Sequence, residues 1–72
     1  MNKWIDLKEK LPTNEQRVLV SMDGEVYIGY RDLKEWTSLE EYEWHIDGFD
    51  WTFDDEEIQG WQMLPKPIKE MD

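Results

Sequence analysis

Two alternating runs, each broken by the same dipeptide, organise the chain. Arg17 to Met22 reads Arg-Val-Leu-Val-Ser-Met, Asp23-Gly24 follows, and Glu25 to Asp32 reads Glu-Val-Tyr-Ile-Gly-Tyr-Arg-Asp. Asp-Gly between two such runs signals a hairpin, because a type I′ turn needs φ > 0 at both of its central residues. A two-residue loop fixes the register: Met22 faces Glu25, Ser21 faces Val26, Val20 faces Tyr27 and Leu19 faces Ile28. Leu19, Val26, Ile28 and Tyr30 then share one face, with Val18, Val20 and Tyr27 on the other. Both faces are partly apolar, which predicts a central hairpin covered on both sides.

The second run repeats the device. Tyr42-Glu43-Trp44-His45-Ile46, Asp47-Gly48 and Phe49-Asp50-Trp51-Thr52-Phe53 predict another two-residue hairpin. Its register pairs Ile46 with Phe49, Trp44 with Trp51 and Tyr42 with Phe53, placing all six on one side. Glu41, Glu43, His45, Asp50, Thr52 and Asp54 take the other, and a slip of one residue would scramble that segregation. Asp55 to Gln59 reads as a loop or single helical turn, and Gly60 to Leu64 as a short last strand ended by Pro65-Lys66-Pro67. Trp4-Ile5-Asp6-Leu7 with Leu11-Pro12 reads as a strand or turn covering one end of the sheet, and Asp32 to Leu39 as including a helical turn. The fold class expected is mainly β, or a small α+β: one compact antiparallel sheet of four to five strands, built from two Asp-Gly hairpins in a single domain.

Composition supports a folded chain of modest stability. At 72 residues and 36% charged it is short and polar, yet five Trp, three Tyr and two Phe supply large apolar bodies for a core. Alanine is absent, which leans against a helical bundle. Cysteine is absent too, which excludes disulfides, zinc-thiolate sites and cysteine nucleophiles. No apolar run approaches the ~20 residues of a membrane span and no signal-peptide core opens the chain, so a cytoplasmic location is expected.

Charge changes the picture more. The net charge is −10, and nine of the 18 acidic residues lie between Glu40 and Glu57 with no Lys or Arg among them. The other nine face all eight bases of the chain. Such a balance opposes direct binding to nucleic acid, which needs clustered bases, and to an anionic membrane surface.

Candidate chemistry is sparse. His45, placed opposite Asp50, has a base and an orienting group but no nucleophile beside it, so the pair reads as a cross-strand polar contact and no enzyme is expected. Asp54-Asp55-Glu56-Glu57 matches no calcium loop and reads as a solvated acidic stretch, so no metal and no cofactor are expected. The aromatic ladder of Tyr42, Trp44, Phe49, Trp51 and Phe53 is most simply core.

Three segments taken together resemble a known family: Trp4-Ile5 with Leu11-Pro12, Val18-Leu19-Val20 followed by Val26 and Gly29-Tyr30, and the closing Gly60-Trp61-Gln62-Met63-Leu64-Pro65-Lys66-Pro67. This order resembles the small phage and prophage proteins grouped as domain-of-unknown-function family 551. Gln62-Met63 stands where that family usually carries Met-Pro, and the acidic hairpin is longer than its usual middle segment. The resemblance implies a phage-type setting in a bacterial host cell and transfers no catalytic residue.

The functional expectation is a non-enzymatic phage or prophage accessory protein that binds a host protein with a basic surface, stoichiometrically. A counter-defence inhibitor of the anti-CRISPR kind fits, with an acidic face that mimics nucleic acid. Glu41, Glu43, Asp50, Asp54, Asp55, Glu56 and Glu57 are the carboxylates expected to meet Lys or Arg. One alternative is an oligomeric sponge for a nucleotide immune signal, with Trp36, Trp61 and Tyr30 stacking on a base and Arg17 or Arg31 on a phosphate. The other is a structural or assembly module, a homo-oligomer without inhibitory role.

Overall fold

The computed structural model describes residues 3–37 and 39–65. They form one five-stranded antiparallel sheet: β1 (Val18–Met22), β2 (Glu25–Leu33), β3 (Tyr42–Ile46), β4 (Thr52–Phe53) and β5 (Gly60–Met63), in the order β4-β3-β2-β1-β5. The first four strands form a meander. The chain then leaves β4, makes a short 3₁₀ turn (Asp55–Glu57), and crosses to lay β5 against the far edge of β1.

The first hairpin forms as its sequence dictates. Asp23 and Gly24 take φ of 57° and 79°, the two positive values a type I′ turn needs. The register pairs Met22 with Glu25, Val20 with Tyr27 and Leu19 with Ile28.

The second hairpin does not form that way. Trp44 pairs with Phe53 rather than Trp51, and His45 with Thr52 rather than Asp50. Of the two turn residues only Gly48 has positive φ, at 94°. Asp47 instead stays in the β2 ladder: its N–H donates to the Ile28 carbonyl at 2.8 Å, and its carboxylate pairs with Arg17. Held there, Asp47 cannot adopt the left-handed conformation that a tight two-residue loop demands. The connection lengthens, and β4 shrinks to two residues. A shift of two residues keeps the aromatic side and the polar side as expected, because side chains alternate with a period of two.

Two further expectations are corrected. Asp32 to Leu39 contains no helical turn among its described residues. β2 continues to Leu33, where Asp32 and Leu33 pair with Glu43 and Tyr42, and the chain reverses around Glu35 and Trp36. Nor is the central hairpin covered on both faces. Val18, Val20, Met22, Trp44, Ile46, Ile58 and Trp61 form the buried core on one side, joined by half-buried Ile5, Leu7, Tyr27, Phe49 and Phe53. On the other side Val26 is 59% exposed and Ile28 37%. The crossing turn and the N-terminal segment both run over the first side, where Leu7, Asp55, Glu56 and Ile58 line one cleft. No strand or turn among the described residues covers the second, where the Arg17–Asp47 ion pair reaches across β2.

Trp61 anchors both coverings. Its backbone exchanges two hydrogen bonds with Ile5, at 2.7 and 3.0 Å, and its indole N–H donates to the Lys10 carbonyl at 2.9 Å. Of the aromatic ladder only Trp44 is fully buried; Trp51 is 60% exposed.

Candidate partner-binding surface

The crossing turn is held down by one ion pair. Arg31 points from β2 into the covered side and is 8% exposed. Its Nε and Nη2 donate to the two oxygens of Asp55 at 2.9 and 2.8 Å, and its guanidinium carbon lies 4.0 Å from the centre of the Tyr42 ring. The Trp44 indole N–H donates to the same Asp55 Oδ1 at 2.6 Å. The Arg31 hydrogen bonds hold the Asp55 carboxyl below its ordinary 3.8 against the opposing effect of burial, with a further contribution from Trp44.

That latch sorts the acidic residues into two groups. Asp55 is committed to Arg31 and Trp44. Glu41 lies 3.6 Å from the Lys34 ammonium, and Glu43 lies 3.3 Å from His45 Nε2 on the uncovered side of the sheet. Asp50, Asp54, Glu56 and Glu57 are exposed and make no ion pair among the described residues. The seven carboxylates singled out in the sequence therefore do not share one face. Those that remain open gather around the 3₁₀ turn and the β3–β4 connection.

The turn presents Glu56 and Glu57 in a fixed attitude. The Glu57 side chain accepts from the Asp54 N–H at 3.0 Å while the Glu57 N–H donates back to the Asp54 carbonyl at 2.9 Å, closing the turn from both ends. Beside it lies a cleft of about 550 Å³ lined by Met22, Asp23, Tyr27, Phe49, Phe53, Glu56, Glu57 and Gln59. Its aromatic wall is tight: Phe49 meets Tyr27, Trp51 and Phe53 edge to face with centroids 5.4, 5.2 and 5.1 Å apart. Half-buried rings rimmed by carboxylates make a site for a guanidinium or ammonium group. Arg31 on Tyr42, clamped by Asp55, is the same chemistry satisfied internally.

Asp23 belongs to this cleft and escaped the sequence reading. It sits in the first hairpin turn, far along the chain from the acidic block, and only the crossing of the chain to β5 brings the two together. Alternation places Tyr27 on a face with Val18 and Val20, but no spacing marks it as part of a site.

The residues proposed to stack on a nucleotide are scattered. Trp61 is 2% exposed and Arg31 8%, so both belong to the interior. Arg17 is paired with Asp47. Tyr30 and Trp36 do share a cleft, but Asp32, Glu35 and Glu43 line it with them, and neither arginine does. His45 stacks flat on Tyr30, with centroids 4.7 Å apart and planes 9° from parallel. Among the described residues no group of three or more His, Asp or Glu converges as metal ligands would, and no helix is long and apolar enough to cross a membrane.

Fold and surface together define a small antiparallel β domain with a latched acidic turn. Over residues 3–69 the chain matches the family model described as "Protein of unknown function (DUF551)", and it belongs to that family. The matched span includes the acidic second hairpin. No curated protein and no solved structure matches the chain.

Proposed function

We propose that the protein is a non-enzymatic binding module that takes a basic segment of a partner protein in the cleft between the 3₁₀ turn and the first hairpin turn. One observation supports this above others: Asp23, Glu56 and Glu57 rim a cleft walled by Tyr27, Phe49 and Phe53, with no base among its lining residues. An arginine or lysine side chain entering there gains ring faces and carboxylates at once. The wider acidic surface supplies long-range attraction, so association is fast and weakens as salt rises. In the phage-type setting that the family resemblance implies, the partner is a host protein whose basic groove ordinarily holds nucleic acid, and binding it inhibits host defence.

Chemical-shift mapping with an arginine-rich probe peptide tests this reading. The ring resonances of Tyr27, Phe49 and Phe53 are expected to move together and saturably, and to stay still with a peptide in which every arginine is glutamine. Shifts spread over all carboxylates with the rings unmoved would refute it.

A further inference from the structure

The carboxylates of the cleft come from two distant parts of the chain, and one residue ties those parts together. Asp23 belongs to the first hairpin turn, Glu56 and Glu57 to the 3₁₀ turn, and Gln59 lines the cleft with them. The Gln59 N–H donates to the Ser21 carbonyl at 2.8 Å. Its Oε1 accepts from the Ser21 hydroxyl at 3.2 Å and from the Gly24 N–H at 3.3 Å. Gly24 lies in the type I′ turn, outside the β1–β2 ladder, and follows Asp23 directly. Gln59 therefore grips the hairpin turn beside Asp23 from a point two residues beyond Glu57. The spacing between the two sets of carboxylates is held before anything binds.

A rim of fixed spacing above rings favours one shape of cation. Phe49 touches both Tyr27 and Phe53 edge to face, so the rings form one continuous wall and do not stand apart as a cage around an ammonium. A guanidinium is planar and carries N–H donors along its edges. It can lie against such a wall while its edges reach carboxylates from both turns. An ammonium is a compact point charge and meets one turn or the other. The chain's own side chains show the contrast. Arg31 lies 4.0 Å from the centre of the Tyr42 ring and gives Asp55 two hydrogen bonds. Lys34 lies 5.5 Å from the centre of the Trp36 ring and 3.6 Å from Glu41 Oε1.

We infer that the cleft selects arginine over lysine, and that Gln59 is the positioning residue behind the preference, because it fixes Asp23 relative to Glu56 and Glu57. This rests on the reading of the cleft as a site for a basic side chain and names which side chain it takes.

Calorimetric titration at one low salt concentration tests it with two probe peptides of equal length and charge, one with arginine and one with lysine at every basic position. The wild type should hold the arginine peptide about tenfold more tightly, the effect of one additional charge-assisted hydrogen bond. Gln59→Leu removes the acceptor. Both side-chain hydrogen bonds lie at the surface, so water replaces them and the circular dichroism of the sheet should be retained. In that variant the preference should fall to near parity, through weaker binding of the arginine peptide. Gln59→Glu keeps an oxygen for the Ser21 hydroxyl and the Gly24 N–H and should keep the preference, whereas a merely structural role would weaken both peptides alike. Equal affinity of the wild type for the two peptides, or an undiminished preference in Gln59→Leu, would overturn the inference and leave the cleft a general cation site. If neither peptide moves the ring resonances of Tyr27, Phe49 and Phe53, the reading of the cleft itself fails and takes this inference with it.

Discussion

The Arg31–Asp55 pair carries a strong asymmetry, because its two members are not equally buried. The Arg31 side chain is 10% exposed and that of Asp55 41%. Asp55→Asn keeps the shape and leaves an oxygen for the Nε of Arg31 and the indole of Trp44. In place of Oδ2 it sets an amide donor against the Nη2 of Arg31, and it strands a buried cation. Removing one partner of a fully buried pair costs about 3–5 kcal/mol. Because water reaches the carboxylate side, we expect about 2–3 kcal/mol here, the worth of one charge-assisted hydrogen bond plus part of the stranding. In a chain this short that lowers the melting temperature by roughly 10–20 °C. Arg31→Met leaves instead a carboxylate that water can solvate and fills the space beside Tyr42, so its cost should stay near 1 kcal/mol or below it. The double variant should therefore be more stable than Asp55→Asn alone. Urea unfolding followed by tryptophan fluorescence measures all four chains. The reasoning fails if Arg31→Met costs as much as Asp55→Asn and the double variant shows no rescue.

The same carboxylate sets an acid response. Its folded pKa is depressed, so its stabilisation is complete above the ordinary 3.8 and is lost as pH falls through the lower folded value. Unfolding free energy should drop below about pH 4, and Asp55→Asn should show a shallower drop over that window. Gly29→Ala and Gly24→Ala should differ sharply in urea midpoint. A Cβ on Gly29 falls on the His45 carbonyl oxygen and within 2.7 Å of the Ile46 Cδ1, whereas one on Gly24 meets nothing within 4 Å. We expect at least about 2 kcal/mol for the first and about 1 kcal/mol, from backbone strain at φ +79°, for the second. Trp61→Phe leaves the Lys10 carbonyl without its donor and should cost about 2 kcal/mol. Hydrogen exchange at the Ile5 amide should quicken with it.

Local rules made the first hairpin readable, and a tertiary contact made the second one misleading. Asp23-Gly24 keeps both of its positive φ values in the folded chain, so the register its turn chemistry dictates survives. Asp47-Gly48 carries the same two residues, but Asp47 is claimed by the Ile28 carbonyl and by Arg17. No spacing within the hairpin announces either contact. The acidic block was visible as a run, though its division was not. That Asp55 turns inward while Glu56 and Glu57 face out depends on Arg31, 24 residues earlier on another strand. Asp23 and Tyr27 join the cleft for the same kind of reason, through the crossing of the chain to β5. Alternation along β1 and β2 showed two apolar faces, and alternation holds no information about which of them the rest of the chain covers.

The claim that the cleft receives a basic partner is tested most directly by comparing two chains in one capture experiment. Wild-type protein and the Asp23→Asn/Glu56→Gln double variant, both checked for an unchanged fold, are immobilised and passed through bacterial extract at low and high salt. Glu57 is left intact because its side chain closes the 3₁₀ turn. The account predicts a basic protein held in a fixed ratio by the wild type, released at high salt, and lost from the variant. Retention of that protein by the variant, or its release from neither chain as salt rises, would contradict it.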